Sequence, residues 1–434
     1  MTKTYEAVVV GAGMFGAAAA KYLSRAGAEV MVVGPEEPPD LAQAQLADFG
    51  AHFDEARITR RLGWDPVWGA LDARSLGRFR DIEAEAGTSF FQECGSLVLM
   101  ARSITHRTDA ILDQCGSEGI DVERLSADAI VQELPALGAI PLEGGTEGLL
   151  ERKQAGYLNP RQLVAAQLNL AQAAGARLLR ATVTSVSRDG AAGPWRIRTE
   201  AAGAVEEVEA RQLVVAAGAM ANLSGALPPG SELDFQIFTE PNLLYEVADE
   251  QLEHLQTLPA IVTVDPEDTG NDNMTVYLLP PIRYPDGKWY VRIGPGMQPI
   301  IEELETADEI RAWYSAQRIT PEQADFLSRM MRLMVPSLAP VSVREACCII
   351  EKTPSRYPYI GHLDGDDSLT VVAGGNGHGA RGSDEIGRLA ARIVLGEPWD
   401  CPIPQETFQP RAAPAQRRTD VTRPGYLKPP FGLC

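Results

Sequence analysis

Val8-Val9-Val10-Gly11-Ala12-Gly13-Met14-Phe15-Gly16 opens the chain, and the Ala-rich segment from Ala17 to Leu23 follows directly. An apolar run feeding G-x-G-x-x-G, then a segment of helical character, is the context in which this motif binds a dinucleotide. Gly11 permits the tight turn, Gly13 lets backbone approach a pyrophosphate, and Gly16 lets the helix pack closely on the strand. The first N–H groups of that helix then face the phosphates. A second apolar run, Val30 to Val33, completes a βαβ start. An acidic residue for the ribose hydroxyls is expected just after it. Gly34 stands there instead, with Glu36 and Glu37 beyond. Either Glu36 reaches back to the ribose, or backbone and water hold it.

The chain has 434 residues, which makes two domains the natural expectation. It carries 59 acidic and 39 basic side chains, for a net charge of −20. That balance argues against nucleic acid or an anionic membrane as partner. No apolar run of about 18 residues is present, and the start lacks a secretory pattern. A cytoplasmic protein is expected. Its six cysteines, Cys94, Cys115, Cys347, Cys348, Cys401 and Cys434, show no C-x-x-C spacing and suggest neither a metal site nor a disulfide framework.

Apolar periodicity places an amphipathic helix from Pro66 to Gly87, a long helix from Arg161 to Ala174, helix from Ile310 to Leu333, and a last one from Glu385 to Leu395. Gln212 to Ala219 reads as a buried strand returning to a parallel sheet. From about 233 to 300 the pattern becomes strand-rich, with Phe235 to Phe238 and Leu243 to Val247 read as separate strands. The expected fold is α/β: a Rossmann-like dinucleotide-binding domain interleaved with a mixed, mostly antiparallel β-sheet domain. The first takes 1–90, 150–225 and 340–398. The second takes 91–149 and 226–339. Residues 399–434 form a tail rich in Pro and Arg.

Read together, these pieces resemble the glycine/D-amino-acid oxidase superfamily, most of all its monomeric sarcosine oxidase and N-methyltryptophan oxidase branch. The resemblance rests on Gly11–Gly16, Arg57-Ile58-Thr59-Arg60, Val214–Gly218, Cys348 through Thr353-Pro354, and Gly374-Gly375-Asn376-Gly377-His378-Gly379. It implies that the first domain is the FAD-binding domain and the second the substrate domain, with hydride removed from the carbon next to an amine in a small, often N-substituted, amino acid. The imine product hydrolyses in water. It also implies that Cys348, six residues before Pro354, is joined to the flavin by a thioether. Cys347 is off by one and lies on the opposite face of the strand. Arg60 and Arg381 stand where the family grips the substrate carboxylate; the family has Lys at the second position, and Arg can bind a carboxylate bidentately.

Further carry-over gives Tyr277 as a wall of the substrate pocket and His378 as a hydrogen-bond donor to flavin or substrate. Gly375, Gly377 and Gly379 form the loop before the last helix. Arg57 lies near the flavin or the domain seam, and His52 near the flavin edge. Each of these side chains is also compatible with an ordinary core or surface role. The main departure is Arg292, where the branch has a Lys that promotes electron transfer to oxygen. Arg keeps the charge but cannot give up its proton. Gly296 and Ile350 replace a His and a Tyr of the branch. A substrate larger than sarcosine is expected, with oxygen or another acceptor taking the electrons. Two alternatives remain: a nicotinamide-dependent enzyme, and a flavin-bearing subunit with decayed catalysis.

Overall fold

The computed structural model describes residues 3–38, 50–63, 65–137, 145–190, 192–270, 274–296 and 300–414. Thr4–Val10 is a central strand of an eight-stranded sheet, with Val30–Gly34 on one side and Ala204–Val215 on the other, both parallel to it. Arg177–Arg180 extends the sheet beyond Val30–Gly34, and Asp366–Ala373 runs parallel to the end of Ala204–Val215. These strands are covered on both faces, which is why they read as continuous apolar runs rather than alternating ones.

One face carries the helices Met14–Arg25, Pro66–Ala86, Pro160–Ala173 and Gly379–Val394. Ala17 to Ala20 are fully buried there, so small side chains let these helices approach the sheet and one another. Their seam also holds a buried ionic cluster. Asp384 accepts from Lys21 Nζ at 2.7 Å, Arg78 Nε at 2.6 Å, Tyr22 at 2.9 Å and Gln167 at 3.1 Å. Removing one member of such a cluster costs about 3–5 kcal/mol, because its partners stay buried without compensation. The other face is covered by the antiparallel strands Thr182–Arg188 and Trp195–Ala201, and Trp195, Ile197 and Tyr359 share a core there with Val8 and Val10.

The second sheet has nine strands and is antiparallel except where Ser96–Met100 meets Ala260–Val264. One face packs on Pro321–Met334 and Ala127–Glu133, through Leu327, Met330, Met334 and Ile130. The opposite face, with Val98, Val262, Leu244 and Tyr277, meets Ala56 and Leu62 of the segment that follows the glycine-turn unit.

Several expectations are corrected. Val343–Lys352, expected to open the last FAD-domain segment, pairs with Gln236–Glu246 along its whole length and so belongs to the second sheet. The chain rejoins the first sheet only at Tyr359–Leu363. Gln236–Glu246 is one strand rather than two. Ile310 to Leu333 is two helices, Ala307–Ala316 and Pro321–Met334, each begun by a Thr capping box, at Thr306 and Thr320. From 399 to 414 the tail is a strap. Phe408 is fully buried against the helix layer, and Ala412 bridges to Leu233. Residues 415–434 lie outside the described residues. Among the described residues, no helix is long and apolar enough to cross a membrane.

Candidate active site

A cavity of about 530 Å³ runs from the glycine turn to the inner face of the second sheet. At its first end Gly11 has φ +113°, and a Cβ there would run into the Ala216 carbonyl. A Cβ on Gly16 would overlap the Gly11 carbonyl. Both glycines are therefore packing requirements. Gly13 differs: its added Cβ would meet only the edge of the His52 ring, at 3.4 Å. Gly13 is also the N-cap of Met14–Arg25, with no side-chain cap and no acid in the first turn, so its N–H groups are open to an anion. Glu36 is exposed on the cavity wall; its neighbour Glu37 pairs with His52 Nε2 and with Arg161 Nε at 3.4 Å. His52 thus roofs the glycine turn.

At the other end the loop 374–378 makes a second open helix start. Gly374 and Gly377 have φ of +79° and +84°, and Asn376 at +52° is held by the Thr353 N–H donating to its Oδ1 at 2.9 Å. His378 N-caps Gly379–Val394 without a side-chain cap bond and with no acid in the first turn. A Cβ on Gly379 would stand 2.8 Å from Phe15, so this glycine lets the two helix starts come together. Gly375, Gly377 and Gly379 all line the cavity. Between the two ends, Glu351 accepts from the Gly375 N–H at 3.3 Å. Burial pushes its carboxyl up to about 7, and its Oε2 has no hydrogen-bond partner among the described residues. Two anion-binding helix starts, joined by a wall with an unsatisfied acceptor, suit a dinucleotide whose linker carries hydroxyls.

The inner face of the second sheet presents Glu240, Asn242, Tyr277, Arg292, Cys348 and Ile350. Arg292 is only 2% exposed. Its Nε donates to Asn242 Oδ1 at 3.1 Å, its Nη1 to the Ala56 carbonyl at 3.0 Å, and its Nη2 to the Tyr277 hydroxyl at 3.1 Å. It also pairs with Asp54. Burial pushes Asp54 up, but the Arg292 and Arg57 guanidiniums outweigh it and hold the carboxyl at about 2. Arg292 is therefore a fixed cation that ties the loop before Arg57 to the sheet. Arg57 bonds Asp54 at 2.6 Å and Cys348 Sγ at 3.3 Å. Burial pushes the Cys348 thiol up, against the pull of Arg57 and Arg292. Cys347 faces away, with its Sγ 3.5 Å from the Arg318 carbonyl, as alternation requires. Ile350 lines the cavity and Gly296 does not.

Arg60 and Arg381, 321 positions apart in the sequence, also line the cavity, 2% and 6% exposed. Arg60 donates to the Leu62 carbonyl. Arg381 Nε pairs with Asp72 Oδ2 at 2.5 Å, and its Nη2 lies 3.3 Å from His378 Nδ1. A guanidinium can only donate, so Nδ1 accepts and the His378 ring proton sits on Nε2. Trp68 flanks that ring, with centroids 5.1 Å apart. Asp72 is the unexpected member. Burial pushes it up to about 7, although Arg381 and Arg60 both favour its ionised form.

The family model for FAD dependent oxidoreductases matches residues 6–393, glycine turn and final helix included. The chain belongs to that family. It is 27% identical to the monomeric sarcosine oxidase of Streptomyces avermitilis over 427 residues, covering 96% of this chain and all of that protein. It is 24% identical to the N-methyl-L-tryptophan oxidase of Yersinia pestis over 398 residues, 91% of this chain and 96% of that one. Its fold matches NikD, described as an unusual amino acid oxidase essential for nikkomycin biosynthesis, with a TM-score of 0.74 and 21% identity over 96% of this chain and all of that one. This FAD-dependent oxidoreductase therefore has the expected fold. Glu240, Glu351, Asp54 and Asp72 are the site residues that sequence reasoning missed. Glu240, Glu351 and Asp72 have their cationic or glycine partners elsewhere in the chain, and Asp54 joins the distant Arg292 to its neighbour Arg57.

Proposed function

We propose that this oxidoreductase oxidises the C–N bond of an N-substituted α-amino acid to the imine, with the substrate carboxylate held between Arg60 and Arg381. The observation that carries this reading is the pair of buried guanidiniums in the wall of the cavity that Tyr277 and Arg292 also line. When bound, FAD supplies the acceptor for the hydride leaving the carbon next to nitrogen. Gly11, Gly13 and the start of Met14–Arg25 would hold its pyrophosphate, Glu36 would serve its adenosine ribose, and Gly375, Gly377 and Gly379 would receive the ring end. Arg57 and Cys348 flank the ring edge, and Cys348 is the point of thioether attachment.

The chain's residues bind and orient. A bidentate grip on the carboxylate fixes the reacting carbon, and such positioning supplies much of the rate. His378 sets Arg381, Tyr277 walls the pocket, and Arg292 fixes Tyr277 and Asn242. Ile350 leaves room for a side chain larger than sarcosine has. The electrons then pass to oxygen or another acceptor. Cys94, Cys115, Cys347, Cys348 and Cys401 are unpaired, in keeping with a cytoplasmic setting.

The test is anaerobic mixing of the yellow protein with N-alkyl amino acids and with their decarboxylated amines. Bleaching of the flavin absorbance by the acids only is expected, with Arg60→Ala and Arg381→Ala each raising the substrate Kd for reduction about 100-fold or more. Equal bleaching by the decarboxylated amines would overturn the clamp. Sarcosine turnover as fast as that of a larger N-alkyl amino acid would overturn the pocket size.

A further inference from the structure

Glu240 stands directly across from Cys348, where Gln236–Glu246 pairs with Val343–Lys352. Its side chain shares the inner face of the sheet with Asn242 and Cys348 and lines the cavity. The side chain is buried, and its Oε2 has no hydrogen-bond partner among the described residues. A buried carboxyl oxygen without a donor is destabilising, so a group entering the cavity with an N–H to give would be bound there.

Among the described residues, four acids line this cavity: Glu36, Glu37, Glu240 and Glu351. Glu37 is engaged by His52 and Arg161 at the glycine-turn end, where Glu36 also lies. Glu351 is bonded to the loop N–H of Gly375. Glu240 is the acid on the same face as Tyr277 and Arg292. On the reading that Arg60 and Arg381 take the anionic end of the substrate, its cationic end still needs an acceptor. We propose that Glu240 accepts the proton of the substrate ammonium, delivering the neutral amine that hydride loss requires.

The step balances. The substrate N–H bond breaks and leaves its electron pair on nitrogen, while a Glu240 oxygen forms the new O–H bond. The products are a neutral secondary amine and a neutral carboxylic acid. The groups that set the titration of Glu240 are Arg292, Lys352, Arg57 and Tyr277, with Cys348 beside it; Asp54 is linked to it through Arg57 and Arg292. Burial raises Glu240, and the three cations together with a hydrogen bond from Tyr277 lower it, leaving it at about 8. A base in that range can take a proton from an ammonium near neutral pH and release it later. The assignment also defines a substrate class: amines with at least one N–H in the ammonium form, so quaternary ammonium acids are excluded.

The test follows the rate of flavin reduction in the full-length holoprotein, without oxygen, from pH 6 to pH 10. The substrate is an N-alkyl α-amino acid that reduces the wild type. The wild-type second-order rate constant for flavin reduction should rise about tenfold per pH unit and level near pH 8. In Glu240→Gln the acid limb should move up to the pKa of the free substrate's own ammonium, and the rate at pH 7 should fall about 10²- to 10³-fold. Flavin absorbance and the affinity for benzoate, which probes the clamp alone, should stay at wild-type values. An unchanged limb overturns the assignment, as does a loss of benzoate affinity matching the loss of rate. If Glu240→Gln does not hold flavin, Glu240→Asp is read instead. A limb displaced from the wild-type position supports the proposal, and an unmoved one refutes it. If no carboxylate-bearing amine reduces the wild type, the clamp reading falls first and this inference falls with it.

Discussion

Replacing Asp72 by Asn tests whether the clamp is built around a carboxyl that burial keeps reluctant to ionise. In the folded chain Asp72 is raised from 3.8 to about 7, because desolvation exceeds the attraction of Arg381 and Arg60. The sign follows from proton binding. Between pH 4 and 7 the folded chain holds a proton that the unfolded chain has lost, so stability falls as pH rises through that window and is level above it. At roughly 1.4 kcal/mol per unit, ionisation of Asp72 lowers stability by about 1.6 kcal/mol at pH 5 and about 4 kcal/mol at pH 8. Asn resembles the protonated form and cannot ionise. The advantage of Asp72→Asn should therefore grow by roughly 3 kcal/mol between these pH values. A chain of this length unfolds with an entropy of about 0.9 kcal/mol/K, so the gap in Tm between variant and wild type should widen by about 3 °C. Thermal melts of the holoprotein at pH 5 and pH 8, at one salt concentration, measure it. A gap that closes toward pH 8 would mean that the two guanidiniums keep Asp72 ionised and that the pair stabilises the fold.

Two further outcomes bear on the cofactor. Acid precipitation of wild type should leave the yellow colour in the pellet, and Cys348→Ala should release it to the supernatant; colour released from wild type would remove the thioether assignment. Gly11→Ala should fail to give soluble protein, since φ there is +113° and the Ala216 carbonyl blocks a Cβ. Gly13→Ala, at φ −82° and facing the cavity, should fold normally and bind flavin at least about tenfold more weakly. Normal flavin affinity in Gly13→Ala would show that the pyrophosphate does not lie over that turn.

What was legible in the sequence was what local pattern controls. Val8 to Val10 with three spaced glycines dictates a strand, turn and helix whatever the rest of the chain does. The alternation that turns Cys347 away from Cys348 is equally local. The boundary at 340 was missed because Val343–Lys352 is a strand in either domain, and only its ten-residue register with Gln236–Glu246 decides which. Two strands were read where there is one because Pro241 interrupts the pattern without ending the pairing; it sits opposite Cys347 inside the ladder. His52 and Arg57 share one loop in the sequence, but the loop turns between them and leaves one over Gly13 and the other on Cys348.

The acids were not legible for a different reason. Asp72 falls in a helix with mixed polar faces and Glu240 in an apolar strand, and local sequence cannot distinguish a solvated charge from one buried beside a distant cation. Arg381 lies 309 positions after Asp72, so the pair exists only in the folded chain. The same principle accounts for the electrostatics of the cavity. The protein as a whole carries −20, yet among the described residues Arg57, Arg60, Arg161, Arg180, Arg292, Arg311 and Arg381 line this one cavity against four acids. A cationic cleft in an acidic protein attracts anions locally, while the surrounding surface repels those without a specific site. Pyrophosphate at the glycine turn and a substrate carboxylate at Arg60 and Arg381 are two such anions. Asp54 and Asp72 prevent the guanidiniums from repelling one another before either anion arrives. Removing the charge at Asp72 should therefore strengthen carboxylate binding at pH 8 and have little effect at pH 5, where Asp72 is already neutral.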